Sequence, residues 1–313
     1  MKRVIFMGTP DFAVPVLQSI IEENYEVVLV VTQPNRPKGR KRELTASPVK
    51  EAALSYNIPV FQPEKLASEY ETLLTYEADI IITAAYGQLL PKALLETPPF
   101  GCINVHASLL PELRGGAPIH YAILQGKKET GISIMYMAEK LDAGDIISQA
   151  KLPIELTDHV GILHDKLSVL GAELLIKTLP AIFEGTNKRV QQNDHEATFA
   201  PNITREQEKI DWNNSSEQVY NQIRGLHPWP VAYTNFKGKR MKIWWAERTE
   251  KKYVDNQPGE ITEINEDRGF IVVCGDGVGL LMTEVQPAGK KRLSVTDFLR
   301  GNPDVVQVGE ILE

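Results

Sequence analysis

The sequence predicts a two-part protein of the α/β class, a Rossmann-like domain followed by a smaller OB-fold-like β-barrel domain. Three observations carry this reading. Continuous apolar runs such as Val4-Ile5-Phe6-Met7 and Val27-Val28-Leu29-Val30-Val31 alternate with helical stretches in the first half, as in a parallel sheet covered on both faces. Short alternating runs separated by glycine turns fill the last third, the pattern of a small barrel. Between them, a polar stretch from about Asn187 to Glu206 lacks periodicity and reads as a linker. The expected domains are 1–188 and 207–313, with 189–206 joining them.

Taken in order, Val4 to Met7 reads as a buried strand. A helix pattern from Phe12 through Ile21 puts Val16, Leu17, Ile20 and Ile21 on one face. After the Val27–Val31 strand, the stretch from Thr32 to Arg42 holds five cations, two prolines and one glycine and reads as a polar loop. A helix resumes near Pro48. Asp79 to Gln88 is another buried strand ending in a glycine loop, a short helix follows Pro91, and a strand then runs through Ile103, Asn104, Val105 and His106. Ile119 to Leu124 reads as a helix, Gly131–Met137 and Ile146–Ala150 as strands. Val160 to Phe183 is a long amphipathic helix with Leu163, Leu167, Leu170, Leu174 and Leu175 inward, ended by Gly185. In the last third a helix spans Ser216 to Arg224, and strands are expected at Ala232–Phe236, Met241–Trp245, Phe270–Cys274 and Gly279–Thr283.

Composition narrows the function classes. With 313 residues, 42% hydrophobic and 24% charged, the chain has material for two ordinary cores. A formal charge of −7 argues against nucleic-acid binding by the whole surface, though local basic patches can exist within such a total. Two isolated cysteines suggest neither a disulfide frame nor a zinc site, and fit a reducing compartment. The basic start is followed by an apolar run too short for a signal peptide, and no run is long enough to cross a bilayer. A cytoplasmic protein is expected. Only Gly8 stands in the first strand–helix turn, so a dinucleotide fingerprint is missing.

The chemistry-bearing residues centre on Asn104 and His106. A strand's period of two puts them on one face, with Ile103 and Val105 on the other. Such a pair can be a satisfied polar pair at a sheet end. With Asp142, in Leu141-Asp142-Ala143-Gly144-Asp145, it can instead make an acid–base and oxyanion set at the ends of neighbouring strands, without metal spacing. The cations of the Thr32–Arg42 stretch fit either a solvated loop or an arm that meets phosphates. Lys237, Lys239, Arg240 and Lys242, with Lys251-Lys252 and Lys290-Lys291-Arg292, surround Trp229, Trp244 and Trp245 in the barrel. Small barrels bind single-stranded nucleic acid through such groups. Alternation would put the adjacent tryptophans on opposite faces, with at least one in the core.

Several segments together resemble one family. They are Gly8-Thr9-Pro10-Asp11-Phe12, Gln33-Pro34, Pro37 to Arg40, Ala46 to Lys50, Asn104 to Pro111, Arg114 to Ile119, Leu141 to Ile146, Ile210-Asp211-Trp212 and Pro228-Trp229-Pro230. In these the chain resembles the methionyl-tRNA formyltransferases, within the wider folate-dependent formyltransferases, over nearly its whole length. The resemblance implies a formyltransferase domain, an OB-fold tRNA-binding domain, and formyl transfer from 10-formyltetrahydrofolate to the amino group of methionyl initiator tRNA in translation initiation. It implies that Asn104, His106 and Asp142 are catalytic and that Ser108, Leu109, Leu110 and Pro111 line the folate site. Arg40 would meet the tRNA acceptor stem, with Arg36, Lys38, Lys41 and Arg42 around it. The folate is then a consumed cosubstrate, no cofactor or metal is tightly bound, and a monomer suffices. Formylation of a nucleotide-linked amino sugar, hydrolysis of formyl-folate, and a non-catalytic RNA-binding module remain the alternatives.

Overall fold

The computed structural model describes residues 1–38, 43–301 and 304–313. They form two compact units. The first comprises Met1–Pro118, Glu129–Pro153 and His164–Pro201; the second comprises Ile119–Lys128, Ile154–Leu163 and Asn202–Glu313. Among the described residues no helix is long and apolar enough to cross a membrane.

In chain order the first half holds β1 (Arg3–Gly8), α1 (Val14–Glu22), β2 (Glu26–Val31), β3 (Arg36–Lys38), β4 (Glu43–Thr45), α2 (Pro48–Ser55), β5 (Val60–Phe61), α3 (Leu66–Glu69), α4 (Glu71–Leu74), β6 (Ile80–Ala84), α5 (Lys92–Leu95), β7 (Cys102–His106), α6 (Pro118–Leu124), β8 (Glu129–Tyr136), β9 (Ile146–Pro153) and α7 (Val160–Glu184). Seven strands form one sheet in the order β5-β2-β1-β6-β7-β8-β9. β5 through β7 run parallel. β8 lies antiparallel to β7, and β9 to β8. The stretch 137–145 joining β8 to β9 is too short for the crossover that a parallel pair needs, so the edge turns back on itself.

Ile5, Met7, Leu29, Val31, Ile81 and Cys102 pack in one core cluster with Leu66, Leu73 and Leu94 from the helices. Each such large aliphatic side chain contributes about 1.5–3 kcal/mol when buried. Helix starts follow local chemistry. Ser47 Oγ accepts from Lys50 N at 3.1 Å, with Pro48 in the first turn of α2. On α7, Leu163, Leu167 and Leu175 are fully buried, while Leu170 and Leu174 are half-buried.

The second unit holds α8 (Ser216–Gly225), β10 (Tyr233–Phe236), β11 (Lys239–Lys252), β12 (Ile261–Asn265), β13 (Gly269–Val273), β14 (Val278–Pro287), β15 (Leu293–Ser294) and α9 (Val295–Gly301). Its antiparallel sheet has the order β10-β11-β14-β13-β12, with β15 on β14. Trp212, Val219, Ile223, Phe270, Val272, Met282 and Phe298 pack in its core. Trp244 and Trp245 depart from the alternation expected of them. A register shift lies between Ile243 and Trp245, and such a bulge turns neighbouring side chains to one side. Both rings are half-buried and flank His227, with centroids 5.7 and 5.5 Å away.

Within the stretch expected as a polar loop after β2, Arg36–Lys38 is instead a short strand. β3 pairs antiparallel with β4, Arg36 opposite Thr45 and Lys38 opposite Glu43. It buries little of its own surface, so it leaves no apolar alternation to read.

Candidate active site

β7 carries the centre of the site. Val105 faces α7, where a Cβ added at Gly171 would stand 2.9 Å from Val105 Cγ1. Asn104 and His106 point to the opposite face. Thr83 is the β6 residue in register with Asn104, and its hydroxyl donates to Asn104 Oδ1 at 2.7 Å. The amide oxygen is thereby occupied, and Nδ2 is the end left to donate to a ligand.

His106 is 6% exposed. Its Nε2 lies 3.0 Å from the Leu113 carbonyl. A carbonyl only accepts, so Nε2 carries a proton and Nδ1 faces the other way. Asp142 Oδ2 stands 3.8 Å from Nδ1, too far for a direct hydrogen bond. The ring is therefore oriented by a backbone carbonyl rather than by the carboxylate.

Asp142 does not sit at the end of a neighbouring strand. Ile103 pairs with Tyr136 and His106 with Ser133, so β8 ends beside the start of β7 and its loop must fold back to reach His106. The fold-back is held at several points. Gly115 N donates to Asp142 Oδ2 at 2.8 Å. Gln192 Nε2 donates to the carbonyls of Asp142 and Gly144 at 2.8 and 2.7 Å. Asp142 itself has φ +48°, a left-handed conformation that aspartate tolerates better than most side chains. A side chain at Gly144 would overlap the Tyr136 carbonyl oxygen.

The stretch 108–111 is fixed from below. Ser108 is fully buried and its hydroxyl donates to Glu112 O at 2.6 Å. Ser133 Oγ donates to Ser108 O and accepts from Leu110 N, while Gln149 Nε2 donates to Leu110 O at 2.9 Å. Leu110 packs with Met135 and Ile146. Leu109 and Pro111 are half-buried. The Ser108 hydroxyl is thus directed at its own loop.

Of the cationic stretch, Arg36 is exposed and stands 3.5 Å from Glu64. Lys38 is described by its strand backbone alone, and Arg40, Lys41 and Arg42 lie outside the described residues. The base of the hairpin is held by polar contacts. Lys50 Nζ donates to Gln62 Oε1 at 2.6 Å and to Asn35 Oδ1 at 3.3 Å. In the second unit Arg240 lies over the Tyr233 ring at 3.9 Å and Arg292 over Trp244 at 4.6 Å. Lys237 is paired with Glu310 at 2.7 Å.

Sequence reasoning missed Thr83, the Leu113 carbonyl, Ser133, Gln149 and Gln192. Ser133 was detectable as a lone hydroxyl inside the apolar run Ile132–Met135; Gln192 sits in the stretch read as a linker.

Known proteins resemble this chain over nearly its whole length. A family model described as formyl transferase matches residues 1–179, and one described as formyl transferase, C-terminal domain, matches 202–303. The methionyl-tRNA formyltransferase of Halalkalibacterium halodurans is 58% identical over 312 residues, covering 99% of this chain and 98% of its own. That of Bacillus subtilis is 58% identical over 314 residues, covering 100% and 98%. Among solved structures, an N-formyltransferase from Helicobacter canadensis, in complex with folinic acid and dTDP-3-aminofucose, matches with TM-score 0.69 at 21% identity, covering 92% of this chain and 100% of its own. HypX from Aquifex aeolicus in complex with tetrahydrofolic acid matches with TM-score 0.67 at 16% identity, over 99% of this chain and 50% of its own.

Proposed function

The chain belongs to the methionyl-tRNA formyltransferase family, and from that premise we propose that Asn104, His106 and Asp142 carry its chemistry. The protein transfers a formyl group to the free amino group of methionyl initiator tRNA. The donor is 10-formyltetrahydrofolate, bound as a cosubstrate that is consumed, with Ser108 to Pro111 shaping its site through the loop they fix. The observation that supports this reading best is the grouping of Asn104, His106 and Asp142 on one face of the sheet, with Asn104 Oδ1 already occupied.

The neutral amine attacks the formyl carbon, a C–N bond forms, and the carbonyl oxygen becomes an oxyanion. Asn104 Nδ2 donates to that oxygen. With Nε2 committed to Leu113 O, Nδ1 is the His106 atom that acts, donating to the oxyanion when the ring is protonated. Asp142 stabilises that cation and accepts the proton lost by the attacking nitrogen. The intermediate collapses as the bond to folate N10 breaks; the electron pair returns to N10, which takes up a proton.

The basic stretch at Arg36, Lys38, Arg40, Lys41 and Arg42 meets tRNA phosphates. The protein acts as a monomer in the cytoplasm, where charged initiator tRNA is found. The test is direct: incubate it with 10-formyltetrahydrofolate and methionyl initiator tRNA and look for tRNA-bound formyl-methionine. Formylation of an amino-sugar nucleotide in place of the tRNA would refute the substrate.

A further inference from the structure

We infer that Gln192, braced by Arg114, is a positioning residue that sets Asp142 against His106. The inference rests on the role given to Asp142 above. Gln192 is 8% exposed and Arg114 only 1%. Arg114 Nε and one terminal nitrogen both donate to Gln192 Oε1, at 3.0 and 2.8 Å. With its oxygen so occupied, the Gln192 amide nitrogen is fixed toward the two loop carbonyls on either side of Ala143. The other Arg114 nitrogen donates to Asp194 at 2.8 Å, and Lys140 donates to the second Asp194 oxygen at 2.6 Å. These two donors, Lys140 first, hold the Asp194 carboxyl below the usual carboxylate range.

The brace reaches His106 through the same short stretch. Leu113 O holds the imidazole, Gly115 N holds the Asp142 carboxylate, and the side chain between them holds Gln192. Arg114 N and O pair with Thr198 O and Ala200 N, at 2.9 and 2.7 Å. A buried guanidinium is costly unless its donors are met. Here two of its bonds go to one amide, and that amide serves the loop bearing the carboxylate.

The test is steady-state and single-turnover formyl transfer by Gln192→Glu, alone and in an Asp142→Ala background, alongside thermal midpoints. Glutamate keeps an acceptor for Arg114 but cannot donate to Asp142 O and Gly144 O. The expected result is a folded variant whose kcat falls about 10- to 100-fold, as small misplacements of reacting groups allow. Its KM for each substrate should stay within about twofold, and it should cause no further loss once Asp142 is alanine. Gln192→Met, which neither donates nor repels, is read the same way if glutamate prevents folding. Wild-type kcat in either folded variant, a loss that multiplies independently with Asp142→Ala, or failure of both to fold would overturn the positioning role. Full activity of Asp142→Ala with Gln192 intact would instead sink the catalytic reading, and this inference with it.

Discussion

Thr83 decides which end of the Asn104 amide faces the site, and nothing in the local sequence announces it. A threonine in an apolar strand is ordinary; its meaning appears only when β6 and β7 are paired with Thr83 opposite Asn104. Thr83→Val keeps the shape and deletes the hydroxyl. Losing a hydrogen bond of about 1 kcal/mol is expected to slow formyl transfer roughly fivefold, with Thr83→Ser near wild type, both measured by single-turnover rates. Gly144 is a second case. The sequence shows a glycine in the Asp142 loop, but only the structure shows the Tyr136 carbonyl against it. Gly144→Ala is expected to cost about 1–3 kcal/mol of stability in urea unfolding and to reduce activity with it, because the loop must shift. The strand period alone put Asn104 and His106 on one face, and the structure keeps them there. The partner that orients His106 is a carbonyl seven positions on, and backbone acceptors carry no residue signature.

At the scale of elements, what was readable follows what buries apolar surface. β1, β2, β6 and α7 are apolar in pattern and lie within a few residues of where the sequence places them. The β3–β4 hairpin, β12 and α9 were not visible: the hairpin is exposed, and β12 carries a register shift at Ile261/Glu263 that breaks its alternation. If the stretch from Arg36 to Arg42 carries the phosphate-binding arm, Arg40→Ala should slow transfer to tRNA far more than it weakens folate binding. It should also reduce the salt dependence of tRNA binding by about one unit of slope. Equal effects on both substrates would return the arm to a structural role. In the second unit His227 is buried beside His159 and donates Nδ1–H to Trp244 O at 2.9 Å. Burial, then the charge of His159, pushes its pKa down to about 4. Between the unfolded value near 6.5 and about 4, the unfolded chain takes up a proton that the folded one refuses. Stability of this unit should therefore fall as pH drops through that window, by at most about 3 kcal/mol, and level off below it. All four tryptophans lie between positions 212 and 245, so tryptophan fluorescence during urea unfolding reads this unit. His227→Gln should flatten the dependence.

Across the whole molecule, the charge of −7 is compatible with a polyanionic substrate only if cations are concentrated locally, and the stretch from Arg36 to Arg42 is where the sequence concentrates them. The order of an α/β part followed by an antiparallel β part was legible from periodicity, because each part has its own repeat of buried residues. The membership of 119–128 and 154–163 in the second unit, and of the polar stretch up to Pro201 in the first, was not. The last assignment rests on pairs such as Arg114 with Thr198 and Ala200, the first two on contacts such as Gln207 with Tyr121 and Arg224 with the carbonyls of Glu155 and Asp158, and sequence windows do not reach across such separations. The central claim is that one face of β7 performs the transfer. It is tested most directly by single-turnover formylation of methionyl initiator tRNA from labelled 10-formyltetrahydrofolate, comparing the wild type with Asn104→Ala, His106→Ala and Asp142→Ala. The expected result is a loss of about 100- to 1,000-fold in each variant, typical of removing one such group, with folding and folate binding kept. Rates within threefold of the wild type in all three would contradict it.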